Sequence, residues 1–287
     1  MKVPFLSTPA EPVLRQPAPA CLPHLPGLNV GALYRGARVG GDFFDFAPME
    51  ERLVLLLLDI AGERATALHL ATSVQETFRK RAPEIFATPD ANEADGVTEL
   101  VHELNRAVLQ AANGVRCAPG FIACYNQALG TLSYVNAGHT PALVRDASGV
   151  TALEPSGLPL GLFSHATHDT QLHVLQPNAV LVLVSRGLVE VRAGRREFGL
   201  EGVKRVLATS TAQSGQELCA AVLEEVETFA RSARRSFLRR RTSARDNRSP
   251  LSDNDTTVVA LVRAAFAGEG RDKARSRDPE AAAAAGA

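Results

Sequence analysis

The chain has 287 residues, 45% of them hydrophobic and 22% charged, the balance of an ordinary globular protein with room for a sizeable core. Lys plus Arg and Asp plus Glu stand at 31 each, so net charge points to neither a nucleic-acid nor a membrane partner. The four cysteines (Cys21, Cys117, Cys124, Cys219) lack CxxC spacing and histidine-rich surroundings, which argues against zinc and for small buried residues in a reducing compartment. No apolar run reaches membrane-spanning length and no basic-then-apolar signal opens the chain, so a cytoplasmic location is expected.

Residues 1–26 are rich in Pro and Ala with little periodicity and read as a leader or the end of a linker, with the folded domain expected over 27–264. Residues 28–34 alternate as a half-buried strand does. Gly40-Gly41-Asp42-Phe43-Phe44-Asp45-Phe46 follows as a second strand, with Asp42 and Asp45 on opposite or differently turned faces. A turn at 48–51 leads into Val54-Leu55-Leu56-Leu57-Leu58-Asp59-Ile60-Ala61-Gly62. This continuous aliphatic run reads as a strand buried on both faces that delivers Asp59 to its tip. Turn chemistry alone would also place an Asp there.

Helical spacing is expected over 65–81 and 97–112, separated by a loop marked by Pro83 and Pro89, the two helices packing on the sheet as an antiparallel pair. His69 and His102 lie on these helices and read as surface or packing residues rather than ligands. Residues 121–128 and 131–138 form a hairpin around Gly130, and further strands are expected at 142–145, 172–175 and 179–184. The loop 157–162 is too apolar to be solvated. Helices at 200–208 and 214–230 precede a last strand at 256–262, introduced by Asp253-Asn254-Asp255. Residues 231–248 hold eight arginines against one acid, Asp246. With few aromatics and no recognisable nucleic-acid motif, 231–250 reads as a solvated insertion loop, and 265–287 as a disordered tail. The element order gives an α+β sandwich with helices stacked outside antiparallel sheets.

Asp42, Asp59 and Asp253 each stand at the edge of a predicted strand. If they converge, their repulsion is substantial, since two unit charges 4 Å apart interact by about 4 kcal/mol at an effective dielectric of 20. Hard divalent cations such as Mg²⁺ or Mn²⁺ resolve such a cluster with oxygen ligands and retained waters.

Six segments, in order, carry a resemblance across residues 23–263. They are 40–46, Asp59-Ile60-Ala61-Gly62, Val135-Asn136-Ala137-Gly138-His139-Thr140-Pro141, Gly157-Leu158-Pro159-Leu160-Gly161, Glu197-Phe198-Gly199 and Asp253-Asn254-Asp255-Thr256. The chain resembles the bacterial metal-dependent serine/threonine phosphatases of the PPM class, in the branch of the stage II sporulation protein E and the stress-response sigma-factor regulators. The resemblance implies a four-layer α/β/β/α sandwich of two mainly antiparallel sheets flanked by helix pairs, with two Mn²⁺ or Mg²⁺ ions at one end. Asp59 would bridge the ions, the Ile60 carbonyl and Asp42 serving one and Asp253 the other. A metal-activated water would hydrolyse phosphoserine or phosphothreonine on a regulatory protein such as an anti-sigma-factor antagonist. Asn136, His139 and Asn254 would have supporting roles, the Asn136–His139 turn being mainly architectural. Oligomeric state is open, a dimer among the options.

The departures from the family pattern matter. Where the family usually reads Thr-Asp-Gly, with the Asp a metal ligand, this chain reads Ser185-Arg186-Gly187. An arginine cannot ligate a cation. Its guanidinium would repel one ion or pair with Asp59 or Asp253 in its place. Gly62-Glu63-Arg64 also replaces a Gly-Lys-Gly-like turn. Three readings follow: an active phosphatase with an altered centre that holds one ion firmly; a degenerate phosphatase that binds a phosphoprotein or switch partner without turnover; and, ranked last, an arginine-rich module engaging an acidic partner such as nucleic acid.

Overall fold

The structure is a computed structural model that describes residues 16–36, 41–60, 62–111, 117–238 and 255–265, of 233–238 the backbone alone. The chain opens with strand β1 (Leu28–Arg35), then the hairpin β2 (Asp42–Met49) and β3 (Arg52–Asp59). Helices α1 (Arg64–Ile85) and α2 (Glu93–Ala111) follow. Five strands come next: β4 (Gly120–Asn126), β5 (Thr131–Ala137), β6 (Ala142–Asp146), β7 (Gly149–Leu153) and β8 (Gln171–Val174). After β9 (Val180–Val184) come the short helix α3 (Arg186–Val189) and the small hairpin β10 (Arg192–Ala193) and β11 (Arg196–Glu197). Helices α4 (Gly199–Thr209) and α5 (Gly215–Leu238) and strand β12 (Thr256–Arg263) complete the fold.

Two five-stranded antiparallel sheets result, ordered β1-β12-β9-β6-β7 and β2-β3-β4-β5-β8. β3 shows why they stack. All of Leu53 to Leu58 is buried, and the side chains divide by the strand's period of two. Val54, Leu56 and Leu58 join the core under α1 and α2, while Leu53, Leu55 and Leu57 join the core between the sheets. Each such side chain contributes about 1.5–3 kcal/mol by leaving water, which makes β3 the spine of the domain. A third core lies where α4 and α5 cover β9 and β12. The four-layer α/β/β/α sandwich is therefore present, with three apolar interfaces between four layers.

Local chemistry accounts for the helices. α2 starts where the Asn92 side-chain oxygen accepts the Ala94 and Asp95 backbone N–H groups at 2.9 and 3.2 Å, with Glu93 and Asp95 in the first turn. α1 buries Ala67, Leu70, Ala71, Val74, Phe78 and Ala82, the i, i+3/i+4 stripe. α5 lies unusually close to β1 because two glycines face each other: a Cβ on Gly215 would sit 2.6 Å from the Gly31 nitrogen.

Four features differ from the sequence reading. Pro83 stands inside α1, three residues before the C-cap Phe86, rather than in a loop; a proline in a last turn costs one hydrogen bond only. α5 continues to Leu238, so residues 231–238 of the arginine-rich stretch are helix, and the remainder of that loop lies outside the described residues. α3 and the β10–β11 hairpin were not expected, being too short to show periodicity, nor was β7, of which only Leu153 is buried. Residues 16–26 pack onto the domain: Leu25 is buried between the sheets, and Ala18 exchanges two backbone bonds with the Gln75 amide at 2.7 and 2.8 Å. Residues 1–15 and the tail beyond 265 lie outside the described residues. His69 and His102 are both exposed on their helices.

Candidate active site

The register of the β2–β3 hairpin places Asp42 directly opposite Asp59. One opens its strand and the other closes its own, so both stand at the same end of the sheet. Backbone bonds fix that end: Ile60 N–H donates to the Gly41 carbonyl at 2.6 Å, and Asp59 N–H to the Pro119 carbonyl at 2.9 Å. Asp255 joins from the head of β12, where its carboxylate accepts the Gly41 N–H at 2.8 Å. A Cβ on Gly41 would lie 2.6 Å from that carboxylate oxygen, so only glycine admits Asp255 here.

The second sheet meets the first through hydroxyls. Thr257 Oγ1 donates to Asp42 at 2.7 Å, and the Ser185 hydroxyl also bonds Asp42 while accepting the Thr257 N–H at 3.0 Å. The Arg186 backbone N–H bonds Asp59. The Ser185-Arg186 turn thus grips both acids.

Burial is the main force on these carboxyls. It pushes Asp42 up to about 7, with Asp59 and Asp255 adding repulsion and the Ser185 and Thr257 hydroxyls opposing it. Asp59 is raised as well, by burial first; Arg186 pulls it down and Glu190 and Asp255 push it up. The Arg186 guanidinium does not bond Asp59 or Asp42. It pairs with Glu190 at 2.6 Å, one helical turn along α3, with 68% of its side chain exposed.

A model of the family described as stage II sporulation protein E (SpoIIE) matches residues 49–236. The chain belongs to the SpoIIE family. Phosphoserine phosphatase RsbU of Bacillus subtilis is 24% identical over 200 residues, covering 69% of this chain and 57% of the relative. Across the curated relatives it matches, the chain spans 34% to 57% of their length. Among solved structures, the PP2C phosphatase domain of SpoIIE from Bacillus subtilis, with a fragment of its regulatory domain, gives a TM-score of 0.63 at 16% identity, covering 82% of this chain and 63% of that one. RsbX in complex with magnesium gives 0.56 at 13% identity, covering 84% and 97%. At these identities the structural likeness shows a shared PP2C fold.

In this SpoIIE-family domain the predicted site residues divide three ways. Asp42, Asp59 and Ile60 meet at one end of the sandwich. Asp253 and Asn254 lie outside the described residues. Asn136 and His139 build a turn: the Asn136 side chain accepts the His139 N–H at 2.8 Å and donates to the Leu153 carbonyl at 3.3 Å. Its backbone carbonyl takes Ser156 and Gly157. His139 is enclosed, and burial pulls it down to about 4, so it is a neutral imidazole. Its bonds are those of an architectural element.

Asp255, Ser185 and Thr257 were missed as site residues. A signal existed for two of them: along an extended strand Asp255 and Thr257 share one face. Among the described residues, no three His, Cys, Asp or Glu side chains group closely enough to hold a metal ion by themselves. The donors still fit a hydrated Mg²⁺ or Mn²⁺, which takes one or two carboxylates and keeps several waters. Two mutually repelling, half-buried carboxyls are an arrangement that a divalent cation would relieve.

Proposed function

We propose that this SpoIIE-family chain is a metal-dependent protein phosphatase that hydrolyses phosphoserine or phosphothreonine on a regulatory protein. The observation that carries this reading is the Asp42–Asp59 pair, two carboxyls set opposite each other at a strand end and both held above their ordinary range. Asp42, Asp59 and the Ile60 carbonyl would hold Mn²⁺ or Mg²⁺, with Asp253 proposed for a second ion. A metal held there would supply an acidified water and neutralise charge on the phosphoryl oxygens. The chain's own contribution is positional. Ser185 and Thr257 fix the Asp42 carboxylate, the Arg186 N–H fixes Asp59, and the Gly41–Asp255 bond ties the two sheets at the site. No side-chain nucleophile is required.

RsbU is named a phosphoserine phosphatase, which supports a phosphoprotein substrate for this chain, such as an anti-sigma-factor antagonist in a cytoplasmic partner-switching pathway. A second reading has an observation of its own. Arg186 already lends positive charge to Asp59 where the family pattern has a metal ligand, which favours a degenerate domain that binds its phosphoprotein without turnover.

Hydrolysis of p-nitrophenyl phosphate with Mn²⁺, paired with calorimetric Mn²⁺ titration of wild type and Arg186→Asp, decides between them. An active wild type that binds Mn²⁺ and loses both properties in Asp59→Asn supports the phosphatase. A silent wild type that Arg186→Asp activates supports the degenerate reading. No Mn²⁺ binding and no turnover in either protein overturns the phosphatase reading.

A further inference from the structure

A cleft of mixed polar and apolar lining, sharing no lining residue with the acidic site, lies between the C-terminal half of α2 and residues 164–167. It is open to solvent on one side and has a volume of about 390 Å³, within the ~300–1,000 Å³ of small-molecule pockets. His102 and Arg106, one helical turn apart, face it from α2, and Ser164, His165 and Thr167 face it from the loop. No acid lines it. Among the described residues, Arg106 has one ionic partner, Glu103, at 3.3 and 3.4 Å on the exposed surface, a long and weak pair. No hydrogen bond within the described residues engages the His102 or His165 rings or the Ser164 and Thr167 hydroxyls.

The loop that carries three of these groups is held in place. Asn105, 4% exposed, accepts the Gly161 N–H at 2.7 Å and donates to the Phe163 carbonyl at 3.0 Å. The buried His168 ring meets the Leu158 carbonyl at 2.8 Å at the loop's other end. A loop pinned on both sides by buried polar side chains keeps its backbone in place without ligand, while Ser164, His165 and Thr167 stand exposed on it. An arginine whose one carboxylate partner is the weakly held Glu103, together with two imidazoles and two hydroxyls, suits an oxyanion, above all one that takes a forked guanidinium. The cavity is several times larger than a phosphate group. The lining Leu109 and Ala166 offer an apolar wall for the rest of a molecule.

We propose that this cleft binds the phosphate group of a small organic phosphate, with its apolar body on the Leu109 side. The inference does not depend on the acidic site's chemistry.

The test is an amide NMR titration of the full chain, in EDTA, with inorganic phosphate and with non-hydrolysable phenylphosphonate. Saturable shifts at Arg106, Ser164, His165 and Thr167 are expected, with phenylphosphonate about tenfold tighter. Arg106→Gln should weaken both by about tenfold or more, since it removes the charge-assisted fork. Asp42→Asn should change neither. The proposal is overturned by shifts that do not saturate, by shifts that survive Arg106→Gln undiminished, or by shifts that vanish in Asp42→Asn. Equal affinity for the two probes would overturn the apolar subsite and with it the organic ligand.

Discussion

Asp42 and Asp45 belong to the same short motif on the same strand, three residues apart, and their surroundings differ in kind. Asp45 faces the helical layer and is 1% exposed. It accepts from the Arg79 Nε at 2.7 Å, the Gln75 amide at 3.0 Å and its neighbour's Phe46 N–H at 3.0 Å. A positive partner and several donors make its charge an asset to the fold. Asp42 faces the rim between the sheets, where two hydroxyls meet it and two further carboxylates repel it. One acid is fully provided for by the protein. The other is left with an electrostatic demand that a cation would answer, which is how a fold reserves a carboxylate for chemistry.

The largest expected effect separates the two on activity. Asp42→Asn or Asp59→Asn should reduce Mn²⁺-dependent hydrolysis by about 10²-fold or more, beyond what a supporting residue usually costs. Thermal stability should stay level or rise, because a repelling charge has been removed. Asp45→Asn should do the reverse, leaving turnover per folded molecule within a few-fold of wild type. A stable Asp45→Asn with lost turnover would break the comparison.

Stability supplies the next test. Arg79→Ala leaves Asp45 buried without its cation, and the expected cost is about 2–3 kcal/mol in urea denaturation, moderated because Arg79 itself is 41% exposed. Gln75→Ala should cost less, about 1–2 kcal/mol, and should also free the Ala18 amide to exchange, since that amide rests on Gln75.

The subtlest test is pH. Asp42 rises from 3.8 to about 7 on folding, so in metal-free protein the native state holds a proton the unfolded chain has released. Its contribution to stability is present below about pH 4 and is lost as pH rises through 7. His139 falls from 6.5 to about 4, so there the unfolded chain binds the extra proton and stability is lost as pH falls from 6.5 towards 4. The two slopes oppose each other between pH 4 and 6.5. Wild type should therefore show a shallow profile in EDTA, and Asp42→Asn should unmask a stability that climbs with pH over that window. A profile unchanged by Asp42→Asn would show that its carboxyl carries no proton in the native state.

Much of the layered fold was legible because its periodicities are long. The unbroken run 53–58 announced a strand with two buried faces, and the stripes in α1, α2 and α5 announced helices with one. The opposition of Asp42 and Asp59 was half legible, since a tight turn between two strands brings their far ends together. Arg186 was not: its side chain turns outward to Glu190 while its backbone serves Asp59, and a residue's letter says nothing about which of its groups faces a site.

By itself the sequence determined the long elements, their apolar faces and the strand ends on which Asp42 and Asp59 stand, because those follow from local pattern and turn chemistry. Only the tertiary structure decided that Asp255, Ser185 and Thr257 converge on Asp42 and that Asp45 is matched by Arg79. Those contacts join residues up to 215 positions apart, and distance along a chain of that order is closed by packing of whole layers rather than by any signal near the residues themselves.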